Sequence, residues 1–296
     1  HEAIKKAKVL IEALPYIKSF RDKCVVVKIG GTTIKDKNLL ESILTDIVFM
    51  EQVGMRPVLV HGGGPYISAE LEKKGLQTRF VHGYRVTDKS VLSVVEDVLV
   101  SRLNRMLVRK LEELGAFAVS SGFMNTHVIS AEKKVLPDAP DSDLGFVGDV
   151  RAVNTEIITA YCKRDIVPVI APLGRKNGQL YNINADDVAS AVAGQLAAEK
   201  LVVLSDVPGL LREEGNINSL IPSIDSTEVD QLIQDGVVRG GMIPKIRSCL
   251  ACLDAGVHKV HIVDGAVKHA LLLEIFTQEG VGTQIVKNNL SHGKQE

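Results

Sequence analysis

Several residues in this sequence sit beside glycines in a way that suits work on an anion. Lys28 interrupts an apolar run in "CVVVKIGG", just ahead of Gly30-Gly31. An ammonium in a central strand is costly to bury without a counter-charge. A second apolar run, "RPVLVHGGGP", ends on Gly62-Gly63-Gly64, and "GGMIPKIRS" places Gly240-Gly241 ahead of Lys245. Lys245 falls in the first turn of a helical pattern, where a cation opposes the helix dipole unless an anion lies between them. Glycine lets a backbone approach a ligand closely, and a following helix offers free N–H groups to it. In "LYNINADDVASAV", Asn182 and Asn184 alternate on one face of a short extended segment and Asp186 opens a helix. Asp186 is either an N-terminal helix charge or cap, or a carboxylate that holds the two ammonium groups. Arg85 in "HGYRVTD" is either a solvated loop charge or a fork able to clamp a carboxylate. Two lysines placed against local preference beside glycine pairs are what a transferring phosphoryl group needs.

Other chemistries for these loops lack their partners. A glycine triplet can serve an oxyanion in acyl transfer, but no G-x-S-x-G nucleophile elbow occurs in the chain. There is no G-x-x-x-x-G-K-[ST] loop, and Ile67 stands where a G-x-G-x-x-G would need its last glycine. Cys249 and Cys252 form a C-x-x-C about two turns into a helical pattern, with no second Cys/His pair to complete a zinc site. They read as packed thiols, and no protein-held metal is expected. The formal net charge of −1 gives no electrostatic reason to expect nucleic acid or an anionic membrane as partner. No apolar run approaches the ~18–20 residues of a membrane span. The expected compartment is the cytoplasm, or a plastid if a transit peptide preceded the opening His1.

The elements that must position these residues follow from periodicity. "CVVVKIG", "PVLVHG", "FAVSS", "DIVPVIAP", "KLVVLSDV" and "KVHIVDG" are apolar almost throughout, as strands covered on both faces should be. Helical patterns fall between most of them, which predicts an α/β fold with a mostly parallel sheet and helices on both sides. In such a sheet both glycine loops open on the same edge, where ligands bind. Residues 127–154, broken by Pro, Asp and Gly, suit hairpins standing off that sheet. Val91, Val94, Val95, Val98, Leu103 and Leu107 give one long helix an apolar stripe. Ile4, Ala7, Ile11 and Leu14 make the opening segment amphipathic until Pro15, which is expected to break or kink it. A helix ahead of the first strand has no sequential neighbour and is a candidate for packing against another subunit.

Together the motifs carry a resemblance. "VVVKIGG", "LVHGGGP", "RVTD", "LGFVGDV", "PVIAPLG", "YNINAD", "LSDVPGLL", "GGMIPK" and "HALLLEIFTQEGVGT" occur in this order over nearly the whole chain. In this it resembles the N-acetyl-L-glutamate kinases of the amino-acid kinase superfamily. The resemblance implies a three-layer αβα sandwich with a central, mostly parallel sheet and an N-terminal extension helix. It implies an oligomerisation helix over 1–20, an acyl-substrate and dimerisation lobe over 21–195, and a nucleotide lobe over 196–296. The reaction it implies is transfer of phosphoryl from ATP, with Mg²⁺, to the side-chain carboxylate of N-acetyl-L-glutamate in arginine biosynthesis. Lys28 and Lys245 would stabilise the transferring group and Asp186 would orient both. Gly30, Gly31, Ser205 and Asp206 would lie against the nucleotide. Gly63, Gly64, Arg85 and Asn182 would hold the acyl substrate, with Gly31 also donating to phosphoryl oxygens.

The opening helix resembles that of the arginine-inhibited branch, which forms a hexamer as a trimer of dimers. That branch implies an L-arginine site made by Tyr16, His261, Glu274 and Gly280, and leaves room for a nitrogen-status signalling protein as partner. Two departures stand out: Ile29 where many members have Tyr, and residues 119–125, which lack the "SGxDG" pattern. Competing readings are a sister kinase, acting on carrier-linked aminoadipate or on glutamate, and an arginine sensor without catalysis. The sister kinases usually lack the opening helix and the "HALLLE" segment, and intact Lys28, Asp186 and Lys245 speak against the sensor.

Overall fold

A computed structural model describes residues 2–122, 124, 127–136, 139, 142–277 and 280–287 of the protein. Eight strands make one sheet, in the order Ser223–Asp225, Gly282–Val286, Lys259–Asp264, Lys200–Ser205, Cys24–Ile29, Arg56–His61, Ile166–Ile170 and Phe117–Ser120. Every pairing is parallel except that of Lys259–Asp264 with Gly282–Val286. All six apolar runs read from the sequence are strands here. Two apolar clusters cover the sheet, one on each face: Val25, Val27 and Ile29 contribute to one, Val26 to the other. That alternation is what a central strand with two buried faces requires.

The first strand lies in the middle, paired with Arg56–His61 on one side and Lys200–Ser205 on the other. Register places Lys28 opposite both Val60 and Val203, so the glycines that follow these strands gather at one edge. A smaller four-stranded sheet stands beside it, in the order Gln179–Asn182, Leu173–Lys176, Ile129–Lys133 and Gly148–Val153. The Ile129–Lys133 and Gly148–Val153 strands pair antiparallel, the hairpin expected of residues 127–154. Phe123 and Asn125 of the atypical 119–125 segment lie outside the described residues.

Two expectations need correction. The opening helix runs unbroken from Glu2 to Phe20, with Pro15 inside it. Proline removes a single helical hydrogen bond, and the Ile11 carbonyl that loses it belongs to an exposed segment open to water. The helix also finds a neighbour in its own chain, for the Tyr16 ring meets the Phe276 ring edge-on at 6.4 Å. Ile4, Val9, Ile11 and Leu14 point outward and are exposed, while Ala7 lies outside the described side chains. The long helix is also not α-helical throughout: residues Asp97–Asn104 wind as a π-helix between α-helical Lys89–Glu96 and Arg105–Glu113. Its stripe is buried as read, Val91 to Leu107 included.

Candidate active site

The lysines converge on one carboxylate. Lys28 Nζ is 2.8 Å from Asp186 Oδ1, and Lys245 Nζ is 3.2 Å from Asp186 Oδ2. Burial alone would raise the Asp186 pKa, but the two ammonium groups outweigh it and hold the carboxyl below its ordinary range. The carboxylate is free for this because the helix Ala185–Gln195 is capped by Asn184, whose side chain accepts from Asp186 N at 2.7 Å. Of the two roles open to Asp186, the cap therefore belongs to its neighbour. Lys28 is 7% exposed, which excludes a side chain that escapes to solvent.

The glycine loops frame a cavity of about 270 Å³ lined by Lys28, Gly30, Gly31, Gly62–Gly64, Arg85, Asn182 and Asp186, among others. In the triplet every carbonyl is engaged. Gly62 O faces His61 Nδ1 at 3.0 Å, Gly63 O accepts from Tyr66 N and Ile67 N, and Gly64 O accepts from Arg85 Nη2 at 3.1 Å. The N–H groups of Gly63 and Gly64 have no partner among the described residues. A helix, Gly64–Lys73, starts here with Pro65 in its first turn, so its terminal donors also face this edge. The loop thus turns its acceptors into the protein and, with Gly62 N bonded to Ile29 O at 2.8 Å, keeps the Gly63 and Gly64 donors for a ligand.

Arg85 is no loose surface charge. Its side chain is buried, stacked 4.8 Å over the Phe80 ring, and donates to Ser68 Oγ at 2.9 Å and Thr78 Oγ1 at 3.3 Å. No carboxylate pairs with it among the described residues, and burial lowers its pKa. Asn182 Nδ2 donates to Thr87 Oγ1 at 3.2 Å, and Thr87 donates in turn to Arg85 O at 2.7 Å. Thr87 was not singled out from the sequence, although it stands inside the quoted "RVTD". Two cations, Lys28 and Lys245, thus share the carboxylate of Asp186 while Arg85 has none, an arrangement suited to anionic ligands. Ser205 ends the strand next to Lys28 and Asp206 follows it, with Ser205 Oγ donating to Asp206 Oδ1 at 3.3 Å. A larger cavity of about 450 Å³, bordered by Glu96, Val100 and Arg175, holds neither lysine and none of these loop glycines.

Comparison with known proteins places this geometry. The model of the amino acid kinase family matches residues 23–264, most of the chain. The chain belongs to the amino acid kinase family. Among curated relatives, the acetylglutamate kinase of Carboxydothermus hydrogenoformans is 46% identical over 95% of this chain and 98% of its own length. That of Aquifex aeolicus is 45% identical, covering 96% and 99%. Among solved structures, N-acetylglutamate synthase from Neisseria gonorrhoeae with coenzyme A and N-acetyl-glutamate superposes with a TM-score of 0.83 at 27% identity. It covers 96% of this chain, which spans only 64% of the synthase. The same synthase with coenzyme A and L-arginine gives a TM-score of 0.79 at 27% identity, over 95% of this chain and 65% of the synthase.

A second polar cluster in this amino acid kinase lies at the other end of the sheet. Glu274 is buried beside His261 Nδ1, and its Oε2 accepts from Val281 N at 3.0 Å. Burial would raise the Glu274 pKa, but His261 and the Val281 amide hold it low, while burial lowers the pKa of His261. Gly280, at φ +60, lies so close that an added Cβ would stand 3.0 Å from Glu274 Oε2. Lys200, not picked out from the sequence, donates to Glu274 O at 3.3 Å. Tyr16 reaches this region through Phe276, two residues beyond Glu274. Of these residues only His261 and Lys200 fall inside the family match, so membership speaks for the phosphoryl site and not for this cluster. Cys249 and Cys252 are free and buried, as packed thiols should be, and burial pushes Cys252 up to about 12.

Proposed function

We infer that this kinase transfers the γ-phosphoryl group of ATP to the side-chain carboxylate of N-acetyl-L-glutamate, giving an acyl phosphate and ADP in arginine biosynthesis. The observation that carries the reading is the pair of ammonium groups, buried at Lys28 and partly buried at Lys245, held by one carboxylate beside a cavity lined with unpaired glycine N–H groups. The names of the curated relatives select the substrate. A carboxylate of pKa near 4.3 is already ionised at pH 7, so no general base is needed. Its oxygen attacks the γ-phosphorus as the bond to the bridging oxygen of ADP breaks. The obstacle is anion meeting anion, which Lys28, Lys245 and the loop amides lower. Arg85, without a carboxylate partner of its own, receives the α-carboxylate, and Asn182 the acetamido group. Residues 21–195 supply the acyl side, and Lys245, Ser205 and Asp206 of 196–296 supply the nucleotide side. No cluster of three or more metal-ligating side chains occurs among the described residues, and both Asp186 oxygens hold lysines. Mg²⁺ therefore fits here as the nucleotide's own ion, carried on its phosphates, where it offsets their charge.

An ATP-dependent hydroxamate assay tests the substrate. Turnover is expected with N-acetyl-L-glutamate and to be much weaker with glutamate or N-acetylaminoadipate; no turnover with the first would overturn the assignment.

Feedback inhibition by L-arginine belongs to the same proposal. Glu274 offers an anion for a guanidinium and Lys200 a cation for a carboxylate, and the solved synthase includes an L-arginine complex. The exposed Ile4, Val9, Ile11 and Leu14 suit a hexamer joined through opening helices. Removing residues 1–20 should reduce the assembly to dimers by light scattering and weaken arginine inhibition. Equal inhibition of both forms would refute the site.

A further inference from the structure

His61 opens the glycine triplet, yet the transfer step leaves it without a task. Its ring is wholly buried, as is Asn104. Nδ1 stands 3.0 Å from Gly62 O, and Nε2 stands 3.0 Å from Asn104 Nδ2. These contacts fix the proton. A carbonyl oxygen only accepts, so Nδ1 must carry hydrogen. Asn104 Nδ2 also reaches Val169 O at 3.0 Å, which requires its amide nitrogen on that side. Asn104 therefore donates to Nε2, and the imidazole is neutral with its single hydrogen on Nδ1. Burial agrees, pushing the His61 pKa down to about 4.

The consequence lies across one peptide plane. Gly62 O and the N–H of Gly63 belong to the same peptide, and no cis bond occurs among the described residues. In a planar trans peptide these groups point in opposite directions. Holding Gly62 O toward His61 therefore aims the N–H of Gly63 the other way, away from the ring. Glycines on both sides would otherwise let this peptide flip cheaply. A flipped peptide would present a carbonyl oxygen where the N–H now stands, and an acceptor there repels a phosphoryl or carboxylate oxygen. A ring with its hydrogen on Nε2 would set a lone pair against Gly62 O and promote that flip.

The π-helix brings the second partner into place. At 3.6 residues per turn, a residue five positions on lies well off the starting face, whereas i→i+5 winding returns it toward the same side. Leu99 and Asn104, five apart inside Asp97–Asn104, both face the glycine loop. A Cβ on Gly63 would meet Leu99 Cδ2 at 2.5 Å, while Asn104 reaches His61.

We propose that His61 and Asn104 are positioning residues: Asn104 sets the tautomer of His61, and His61 locks the Gly62–Gly63 peptide so that the Gly63 N–H serves the transferring group. The proposal rests on the functional reading above, but its first test does not depend on turnover. Two-bond ¹H–¹⁵N spectra of histidine-labelled protein should show His61 with its hydrogen on Nδ1, assigned by loss of that signal in a His61 variant. Asn104→Ala should mix the tautomers and lower kcat roughly tenfold or more, with substrate KM little changed.

Asparagine places its amide nitrogen near the position of Nδ1, and glutamine near that of Nε2. His61→Asn should therefore keep most of kcat, while His61→Gln should lose roughly 10²-fold. A purely structural role, satisfied by filling space and bonding Asn104, would favour glutamine. Hydrogen on Nε2 in the wild type, an unchanged tautomer or kcat in Asn104→Ala, or glutamine matching asparagine would each overturn the proposal. Should the His61 variants not fold, the wild-type and Asn104→Ala measurements still decide it. A wild type that does not turn over N-acetyl-L-glutamate defeats the functional reading and leaves the tautomer measurement standing.

Discussion

Asp186→Asn is expected to lower kcat by roughly 10²–10³ while raising nucleotide KM far less. Asparagine keeps the shape of the side chain and removes its charge. Lys28 and Lys245, both nearly buried, would then face one another with no carboxylate between them. Their repulsion displaces the two groups on which the transition-state charge depends, and a misplacement of about 1 Å can cost about 10² in rate. The same change should destabilise the fold, since breaking a buried charge pair typically costs about 3–5 kcal/mol. Acid provides a check on the cause. The Asp186 carboxyl is held below its ordinary range, so its stabilisation is present above the unfolded value of about 3.9 and lost as pH falls through the folded value. The difference in thermal stability between wild type and variant should be largest near neutrality and shrink below about pH 4. A kcat within tenfold of wild type would show that the lysines need no counter-charge to stay in place.

How much of this could be read from the residues differs from part to part. The sheet was legible because strands buried on both faces cannot alternate: "CVVVKIG" and "KLVVLSDV" have no polar face to hide. Lys28 was legible for the opposite reason, as the one residue in its run that breaks the apolar rule. The four-stranded sheet was only partly legible, because Leu173–Lys176 and Gln179–Asn182 are short, mixed in polarity and partly exposed. Asp186 and Asn184 are both good caps, so propensity could not tell which one closed the helix. Only the 2.7 Å contact of Asn184 with Asp186 N does so.

The π-helix left no trace in the sequence. Val95, Leu99, Leu103 and Leu107 are spaced by fours, as an ordinary α-helix requires. Nothing in that spacing marked out Asn104, and with it a task for His61. Lys200 escaped notice because one lysine at the start of a strand carries no signal until the fold brings Glu274 beside it.

Gly31→Ala is expected to cost roughly 10² in kcat/KM, through geometry rather than charge. The two glycine loops touch: a Cβ on Gly31 would stand 2.6 Å from Pro65 Cδ and 3.3 Å from both Cα and C of Gly63. A proline ring and a backbone cannot rotate aside as a long side chain can. The loops must instead separate, and overpacking of this kind costs about 1–3 kcal/mol. Separation moves the Gly63 amide relative to Lys28, which sits three residues before Gly31 on the first strand. Gly64→Ala supplies the contrast, because a Cβ there meets nothing within 4 Å and leaves the N–H in place. The loss at Gly64 should therefore be much smaller than at Gly31, measured as kcat/KM for N-acetyl-L-glutamate at saturating ATP. Equal losses would mean that the glycines serve ligand clearance alone, and that contact between the loops does not set the position of the donors.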